Sequence, residues 1–503
     1  MVCRTQKAIY VLNLTITMAL LSKSKYILGL QCPKLLWVAI NAKQRMPKPD
    51  SATQQKFDIG TEVGELATKS FEEGVLVPQE GFIETIKATI PLLTKRIPLF
   101  EPAFMINNLY SRADVLVPVE NGMWDIVEVK SSTKVKDVNV EDVAFQKHVY
   151  ELSGLKIRNC YLMHMNNQYV RQGELDVKQL FTQTDITKEV NTAIIGIQER
   201  IDEMFTLLEG SEPNIDIGPG CTKPYDCDLM DSCWSEVPER SVFNLYYGGK
   251  KGWSLYSEGV VNLKDIPAGT KLTPKQQIQF DSERSGLPHK DETAIKAFID
   301  SIKFPVSWLD FETINPAVPL FDNSKPYQQI CFQYSLHVSK ASFEEEPEHY
   351  EFLAKGSEDP RIEFAKHLKE HLGTEGSIIV YNQGFEIARL KELARDFPEY
   401  VDWVETVIPR IVDLLIPFRE FIYYHPDQNG SCSIKAVLPA VLGENPYAEL
   451  EINKGDDASR KYFELYFGSG SSETEEKLIR NALLKYCGLD TVAMLLVVRK
   501  LII

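Results

Sequence analysis

"WDIVEVKSST", residues 124–133, sets a glutamate and a lysine two apart inside what otherwise reads as a buried strand. Burying either charge without a partner costs several kcal/mol, so the pair needs something to face. Alternate strand residues share a face, which sends Glu128 and Lys130 to the same side. Ile126, Val127 and Val129 around them are apolar. Reading backward, "SRADVLVPVENGMWDIVEVKSS" holds two apolar, β-branched runs joined at Glu120, Asn121 and Gly122. An Asn-Gly pair between such runs predicts a hairpin, with Asp114 at the head of its first strand. Two carboxylates beside one lysine, meeting across neighbouring strands, can hold a divalent metal and position a water. The lysine offsets charge developing on a phosphate under attack. The alternative is a solvated ion pair on an amphipathic strand.

Outward from the hairpin, the pattern alternates helix and strand. "VNVEDVAFQKHVYELSGL" has apolar residues at helical spacing and places Gln146 and Tyr150 four apart on one face. "IRNCYLMHM" reads as the next strand. Upstream, "FDIGTEVGELATKSF" is a helical pattern carrying Glu62 and Glu65, and residues 22–45 read as a helix and turn around Cys32. One long amphipathic helix is expected over 186–209, ending near Gly210.

The totals bound the answer. A chain of 503 residues has room for two or three domains with sizeable cores, and 44% hydrophobic with 25% charged residues is ordinary for a globular protein. A net charge of −16 argues against a protein held on nucleic acid by its overall field, though not against a basic groove on an acidic body. Nine cysteines in this length exclude a disulfide scaffold and favour a reducing, cytoplasmic setting. "AIYVLNLTITMALL" (8–21) resembles a weak signal-peptide core behind Arg4 and Lys7, but no small-residue cleavage site follows. Met18 is therefore read as the natural start, with residues 1–17 as an upstream extension. No transmembrane helix and no membrane partner are expected.

"CTKPYDCDLMDSC" places Cys221, Cys227 and Cys233 at equal six-residue intervals in a Pro-rich loop. Zinc pairs are usually spaced more tightly. A fourth ligand is needed, and Cys32 in "GLQCPKLLW" is the candidate. Cys160, Cys331 and Cys487 sit in apolar elements and read as free buried thiols. Residues 241–290 mix Gly, Pro and aromatics without a period and read as a connector.

A second α/β pattern fills 291–503. It begins with a helix near 292–302 and the strand "FPVSWLDFETI", where Asp310 and Glu312 point to one face. "GSIIVYNQ" is a further strand, and "VYNQGFEIARL" passes from it into a helix carrying Glu386. A final helix over about 474–500 puts Tyr486 and Asp490 on one face, four apart. Lys435, near a helix start in "SCSIKAVL", reads as a solvated lysine, with a phosphate contact as the alternative.

These motifs carry a resemblance. Asp114, Glu128 and Lys130, spaced Asp-(x13)-Glu-x-Lys and followed by Gln146 and Tyr150, resemble the RecB-like branch of the PD-(D/E)XK nucleases. That family implies a restriction-endonuclease-like domain, here over 20–240. It also implies a Mg²⁺ or Mn²⁺ site to which Glu65 would add a carboxylate. Its metal-binding histidine, expected in a G-x-x-x-H pattern from Gly60, is missing, since Gly64 stands in its place. One N-terminal cysteine plus a later trio is how several such nucleases hold a 4Fe–4S cluster, which assigns Cys32, Cys221, Cys227 and Cys233 to it; zinc is the alternative. Residues 291–503 resemble RNase H-like DEDD exonucleases of the Y-x-x-x-D type. The resemblance implies a mixed sheet, two metal ions held by Asp310, Glu312, Glu386 and Asp490, and a Tyr486 that orients water. Glu386 stands where that family has aspartate; Asp413 is a less favoured substitute. The whole layout resembles a prokaryotic family known as a domain of unknown function. It implies a nuclease acting on DNA or RNA, single-stranded or with free ends, and no established pathway. A helicase or a defence or repair protein as partner is expected only by analogy of the first half with helicase-linked nucleases and the Fe–S exonuclease of CRISPR adaptation. The competing readings are a nucleic-acid-binding module with degenerate sites and a redox-sensing Fe–S protein.

Overall fold

The computed structural model describes residues 19–468 and 470–502, so the expectations for residues 1–17 and Met18 lie outside it. The protein is a mixed α/β protein whose packing divides into two units. One comprises residues 19–236 with Ala317–Tyr327, the other Val237–Pro316 with Gln328–Ile503.

The first unit opens with β1 (Leu21–Ser22), α1 (Lys23–Gln31) and α2 (Pro33–Asn41), with Cys32 alone between the two helices. Ser22 caps α1, accepting from the Lys25 amide, and Pro33 occupies the first turn of α2, where its missing N–H costs nothing. Then come α3 (Ser51–Thr68), β2 (Val75–Leu76), α4 (Phe82–Leu93), β3 (Leu99–Phe100), β4 (Ala103–Ile106) and β5 (Leu109–Arg112). The predicted hairpin is β6 (Val115–Pro118) against β7 (Trp124–Lys130). Its turn holds Asn121 at φ 56° and Gly122 at φ 73°, the left-handed conformation that favours this pair. After α5 (Asp137–Leu152) follow β8 (Ile157–Met165), α6 (Val177–Leu180) and β9 (Phe181–Asp185). The six strands run in the order β2-β3-β6-β7-β8-β9, with β7 parallel to β8 and central. The expected long helix over 186–209 is two, α7 (Thr187–Ala193) and α8 (Ile197–Glu209). Gly196 breaks it with a left-handed φ of 70°, a conformation no helix interior accommodates. The short α9 (Met230–Cys233) ends the cysteine loop.

The second unit takes in the segment expected as a connector. Residues 241–290 carry α10 (Gly249–Ser257), α11 (Pro274–Ser285) and β10 (His289–Lys290), and bury their own cluster of Val242, Leu245, Leu255, Leu263, Ile266 and Phe280. The apolar period is hidden because these side chains come from short helices and 3₁₀ turns separated by Gly and Pro. After α12 (Glu292–Asp300) come β11 (Val306–Ile314), β12 (Ile330–Ser339), β13 (Glu348–Leu353), α13 (Arg361–His371), β14 (Ser377–Val380), α14 (Gly384–Asp396) and α15 (Val401–Val407). The chain closes with β15 (Ile411–Asp413), α16 (Ile416–Arg419), β16 (Tyr423–Tyr424), α17 (Ile434–Leu442), α18 (Gly455–Phe467) and α19 (Glu473–Ile502). The sheet order is β13-β12-β11-β14-β15: the first three are antiparallel, and β14 and β15 run parallel to β11.

Among the described residues, α19 alone is long and apolar enough to cross a membrane by length and composition. Over half of its most apolar window is buried within the protein. Leu483, Ala493, Met494, Leu495, Val497 and Val498 are all at most 1% exposed, which makes α19 the core helix of this unit.

Candidate functional site

Two carboxylate clusters and one cysteine pocket emerge, and their electrostatics differ. In the first unit, Val115 pairs with Val127 across the hairpin; one step further, the register sets Asp114 opposite Glu128. Asp114 Oδ2 accepts from the Val129 amide at 2.6 Å. Glu128 is fully buried and saturated: Oε1 accepts from Lys130 Nζ and from Lys23 Nζ, each at 2.7 Å, and Oε2 accepts from Gln146 Nε2 at 2.6 Å. Tyr150 acts one step away, accepting from the Ala113 amide and donating to the Pro102 carbonyl, both at 2.8 Å. It therefore holds the backbone immediately before Asp114. Glu65 is exposed on α3, and no described contact joins its carboxylate to Asp114 or Glu128.

Sequence reasoning missed two members of this group. Lys23, at the first turn of α1, and Asp142, on α5, complete it: Lys130 Nζ donates to Asp142 Oδ2 at 2.9 Å, and Lys23 Nζ lies 3.8 Å from the same oxygen. Asp142 is i−4 from Gln146 on the face already singled out, so helical spacing held a signal for it. Lys23 comes from 105 residues away along the chain, and nothing local announces it. Burial works against the Glu128 charge, but Lys130 and Lys23 outweigh it and hold that carboxyl well below the usual range. Asp114 goes the other way: burial and the neighbouring Glu128 push it up to about 7.

The second cluster lies on β11, α14 and α19, and there compensation is scarce. Asp310 and Glu312 project from β11, and Glu386 lies in the first turn of α14. Asp490, 8% exposed, comes from α19. Burial, then Asp490, Glu312 and Glu386, raise Asp310 well above the ordinary range. Burial and Asp490 do the same to Glu312, and burial pushes Glu386 up to about 8. Glu386 is 2% exposed and its Oε2 has no hydrogen-bond partner.

Asp490 Oδ1 accepts from Tyr447 Oη at 2.6 Å, a contact for which the sequence held no signal. Tyr486 accepts from Lys435 Nζ at 2.7 Å, and burial with Asp490 and Glu312 keeps its phenol protonated. Lys435 is thus not a solvated lysine: its ammonium also stands over the Tyr486 and Tyr447 rings, at 4.6 and 5.7 Å. Asp413 Oδ1 accepts from the Asn382 and Leu415 amides, at 2.9 and 3.0 Å. That pins the left-handed Asn382, φ 78°, two residues before α14, the helix that carries Glu386. Cys487 is a free, buried thiol as expected, and its Sγ lies 3.8 Å from Asp310 Oδ2; ligand atoms of Asp310, Glu312 and Cys487 all fall within 4.8 Å of one another. A cleft of about 680 Å³ opens over Asp310 and Asp490, lined by Tyr246, Tyr247, Asn382, Arg419, Lys435 and Tyr486.

The four singled-out cysteines, all unbridged, line one small pocket with Lys34, Asp216 and Met230. Gln31 Nε2 donates to the Gly220 and Tyr225 carbonyls, at 3.1 and 2.8 Å, so the end of α1 that carries Cys32 clasps the loop of the other three. Backbone amides face two of the sulfurs, Gly218 on Cys221 at 3.4 Å and Leu229 on Cys227 at 3.5 Å. Burial, then Cys32, Cys221 and Cys233, raise the Cys227 thiol, the sign of sulfurs gathered in one place. Four thiols that line one pocket, with amide donors on two of them, are the residues that could hold a cluster or a zinc.

Residues 307–433 match the family model of a domain of unknown function, DUF2779. The match contains Asp310, Glu312, Glu386 and Asp413, and stops short of Lys435, Tyr486 and Asp490. The chain is 30% identical over 216 residues to the uncharacterized protein UU173 of Ureaplasma parvum, which covers 39% of this chain and 31% of that protein. It is 28% identical over 315 residues to the uncharacterized protein MG366 of Mycoplasma genitalium, covering 54% of this chain and 46% of that one. These similarities place the protein alongside a domain-of-unknown-function family. The chain spans less than half the length of each of these relatives.

Proposed function

We propose that the protein is a metal-dependent nuclease that hydrolyses phosphodiester bonds of DNA or RNA. The observation that carries this reading is the second cluster. Four buried or nearly buried carboxylates lie together, each pushed toward protonation by burial, and Lys435 favours the charged form of Glu312 and Asp490. Such a group is costly to keep for packing alone and inexpensive once a divalent cation is present. In this reading Asp310, Glu312, Glu386 and Asp490 hold Mg²⁺ or Mn²⁺, which supplies Lewis-acid stabilisation of the scissile phosphate. The protein's own groups then have separable tasks. Tyr486, kept protonated by burial and the nearby carboxylates and oriented by Lys435, positions the attacking water. Tyr447 fixes the Asp490 carboxylate. Asn382 and Arg419, in the cleft wall, offer donors to the sugar–phosphate backbone. A sheet with three antiparallel strands followed by two parallel to the first supports an RNase H-like fold for this unit.

For the first unit the reading is a PD-(D/E)XK-type nuclease domain with Asp114, Glu128 and Lys130 at its centre. Gln146 and Tyr150 would set the two carboxylates, and a 4Fe–4S cluster on the four cysteines would tie α1 to the loop that follows α8. One observation favours a binding role for this site instead: both Glu128 oxygens are already taken, Oε1 by Lys23 and Lys130 and Oε2 by Gln146.

The test is cleavage of end-labelled single-stranded DNA and RNA in Mn²⁺ by the purified protein, with Asp310→Asn, Asp114→Asn and the double variant. Loss of trimming from the 3′ end in Asp310→Asn is the expected result. Cleavage that survives the double variant overturns the reading.

A further inference from the structure

Cys487 is the residue in the second cluster that a carboxylate site does not require. Tyr486, Cys487 and Asp490 are spaced i, i+1 and i+4, so Cys487 and Asp490 stand three apart and share the helix face turned to β11. Cys487 is fully buried, and its Sγ is 3.8 Å from both the carbonyl oxygen and Oδ2 of Asp310. Its sulfur and one oxygen each from Asp310 and Glu312 lie mutually within 4.8 Å, a spacing one cation can span. An independent observation points into the same place. Glu386 is 2% exposed, its Oε2 finds no hydrogen-bond donor, and its charge bears directly on Asp310. An acceptor buried that deeply without a partner calls for a positive ligand.

We infer that the Cys487 sulfur joins Asp310 and Glu312 as a ligand, so that this site takes borderline and soft divalent ions, Zn²⁺ and Cd²⁺ foremost, in preference to Mg²⁺. Magnesium seeks oxygen alone in octahedral geometry, whereas a thiolate among carboxylates selects softer ions. As the metal–sulfur bond forms, the thiol proton leaves to solvent and the oxidation state of sulfur does not change. The inference rests on reading the cluster as a cation site, but not on its being a nuclease. In the metal-free protein the same thiol simply donates to Asp310.

The experiment is a Cd²⁺ and a Mg²⁺ titration of the full chain by calorimetry, with the sulfur-to-cadmium charge-transfer absorption recorded in parallel. Wild type is compared with Cys487→Ser; the other eight cysteines are present in both and cancel in the difference. Loss of the thiolate should weaken Cd²⁺ at this site by roughly 10- to 100-fold and remove part of the charge-transfer band, with Mg²⁺ changed by less than about 3-fold. Should Cys487→Ser fail to fold, Cys487→Ala serves, with the same expectation. Identical Cd²⁺ affinity and absorption in wild type and variant overturn the inference, whatever the outcome of the cleavage assay. An equal loss of Cd²⁺ and Mg²⁺ affinity also overturns it, because the thiol would then only position Asp310.

Discussion

Tyr447 Oη donates a 2.6 Å hydrogen bond to Oδ1 of Asp490, joining the loop before α18 to the middle of the core helix α19. The bond orients a buried carboxylate whose charged form Lys435 also favours. Tyr447→Phe keeps the ring and removes the donor. Supporting hydrogen bonds of this kind typically tune metal affinity or activity by 10–100-fold, so cleavage should fall by about that factor while the fold persists. The check is Mn²⁺-dependent trimming together with a thermal melt. The acid limb of the pH–rate profile should also move upward, because Asp490 loses a group that favours its charged form.

Glu386 makes the metal-free protein sensitive to alkali. Its carboxyl is pushed from an ordinary 4.5 up to about 8 by burial, so the folded state keeps a proton that the unfolded chain has released. Stability should be fullest below pH 4.5 and fall as pH rises toward 8, by at most about 5 kcal/mol in total. Glu386→Gln should flatten that decline. Denaturant unfolding in chelator at several pH values measures it, and a steeper decline in the variant would contradict it.

His337 works in the opposite direction. Its ring stacks on His349 with centroids 4.0 Å apart and bonds Thr491 Oγ1 at 2.8 Å, while Glu351 lies 3.9 Å from His349. Burial, then His349, lower it from 6.5 to about 4. A depressed histidine contributes stability that is complete above pH 6.5 and lost as pH falls toward 4. His337→Gln should therefore soften acid unfolding between those values, as followed by circular dichroism.

Lys23 and Lys130 share Glu128 Oε1. Lys23→Met leaves Lys130 in place but strips one donor from a fully buried carboxylate. Removing a hydrogen bond to a charged group costs about 1.5–3 kcal/mol, and the first unit should lose about that much stability in urea. Lys23→Arg should restore part of it.

The cysteine pocket is tested by composition. Protein purified without oxygen should be brown and carry iron and acid-labile sulfide, and Cys227→Ser should lose both together. Colourless protein with one tightly held zinc would replace the cluster by the tetrahedral alternative.

Much of this was legible before the fold. The Asn-Gly turn and the alternation around it predict β6 and β7, and period-two and period-four spacing put Asp310 with Glu312 and Tyr486 with Asp490. Equal cysteine intervals in a polar loop mark Cys221, Cys227 and Cys233. Gly196 inside an apparent helix, and the small core of residues 241–290, were misjudged because an apolar period can continue across a glycine break, and short helices show too few turns to reveal one.

The sequence by itself determined which residues are chemically unusual: carboxylates in apolar strands and helices are rare because burying charge is costly, so local pattern exposes them. Tertiary structure alone decided how each charge is answered. Lys23 compensates Glu128 across 105 residues. Lys435 reaches Tyr486 from the first turn of α17, Tyr447 reaches Asp490 from a 3₁₀ turn, and Cys487 meets Asp310 while fully buried. Those pairings depend on which surfaces packing brings within a few ångströms, and hydrogen bonds and coordination act over that distance, not along the chain.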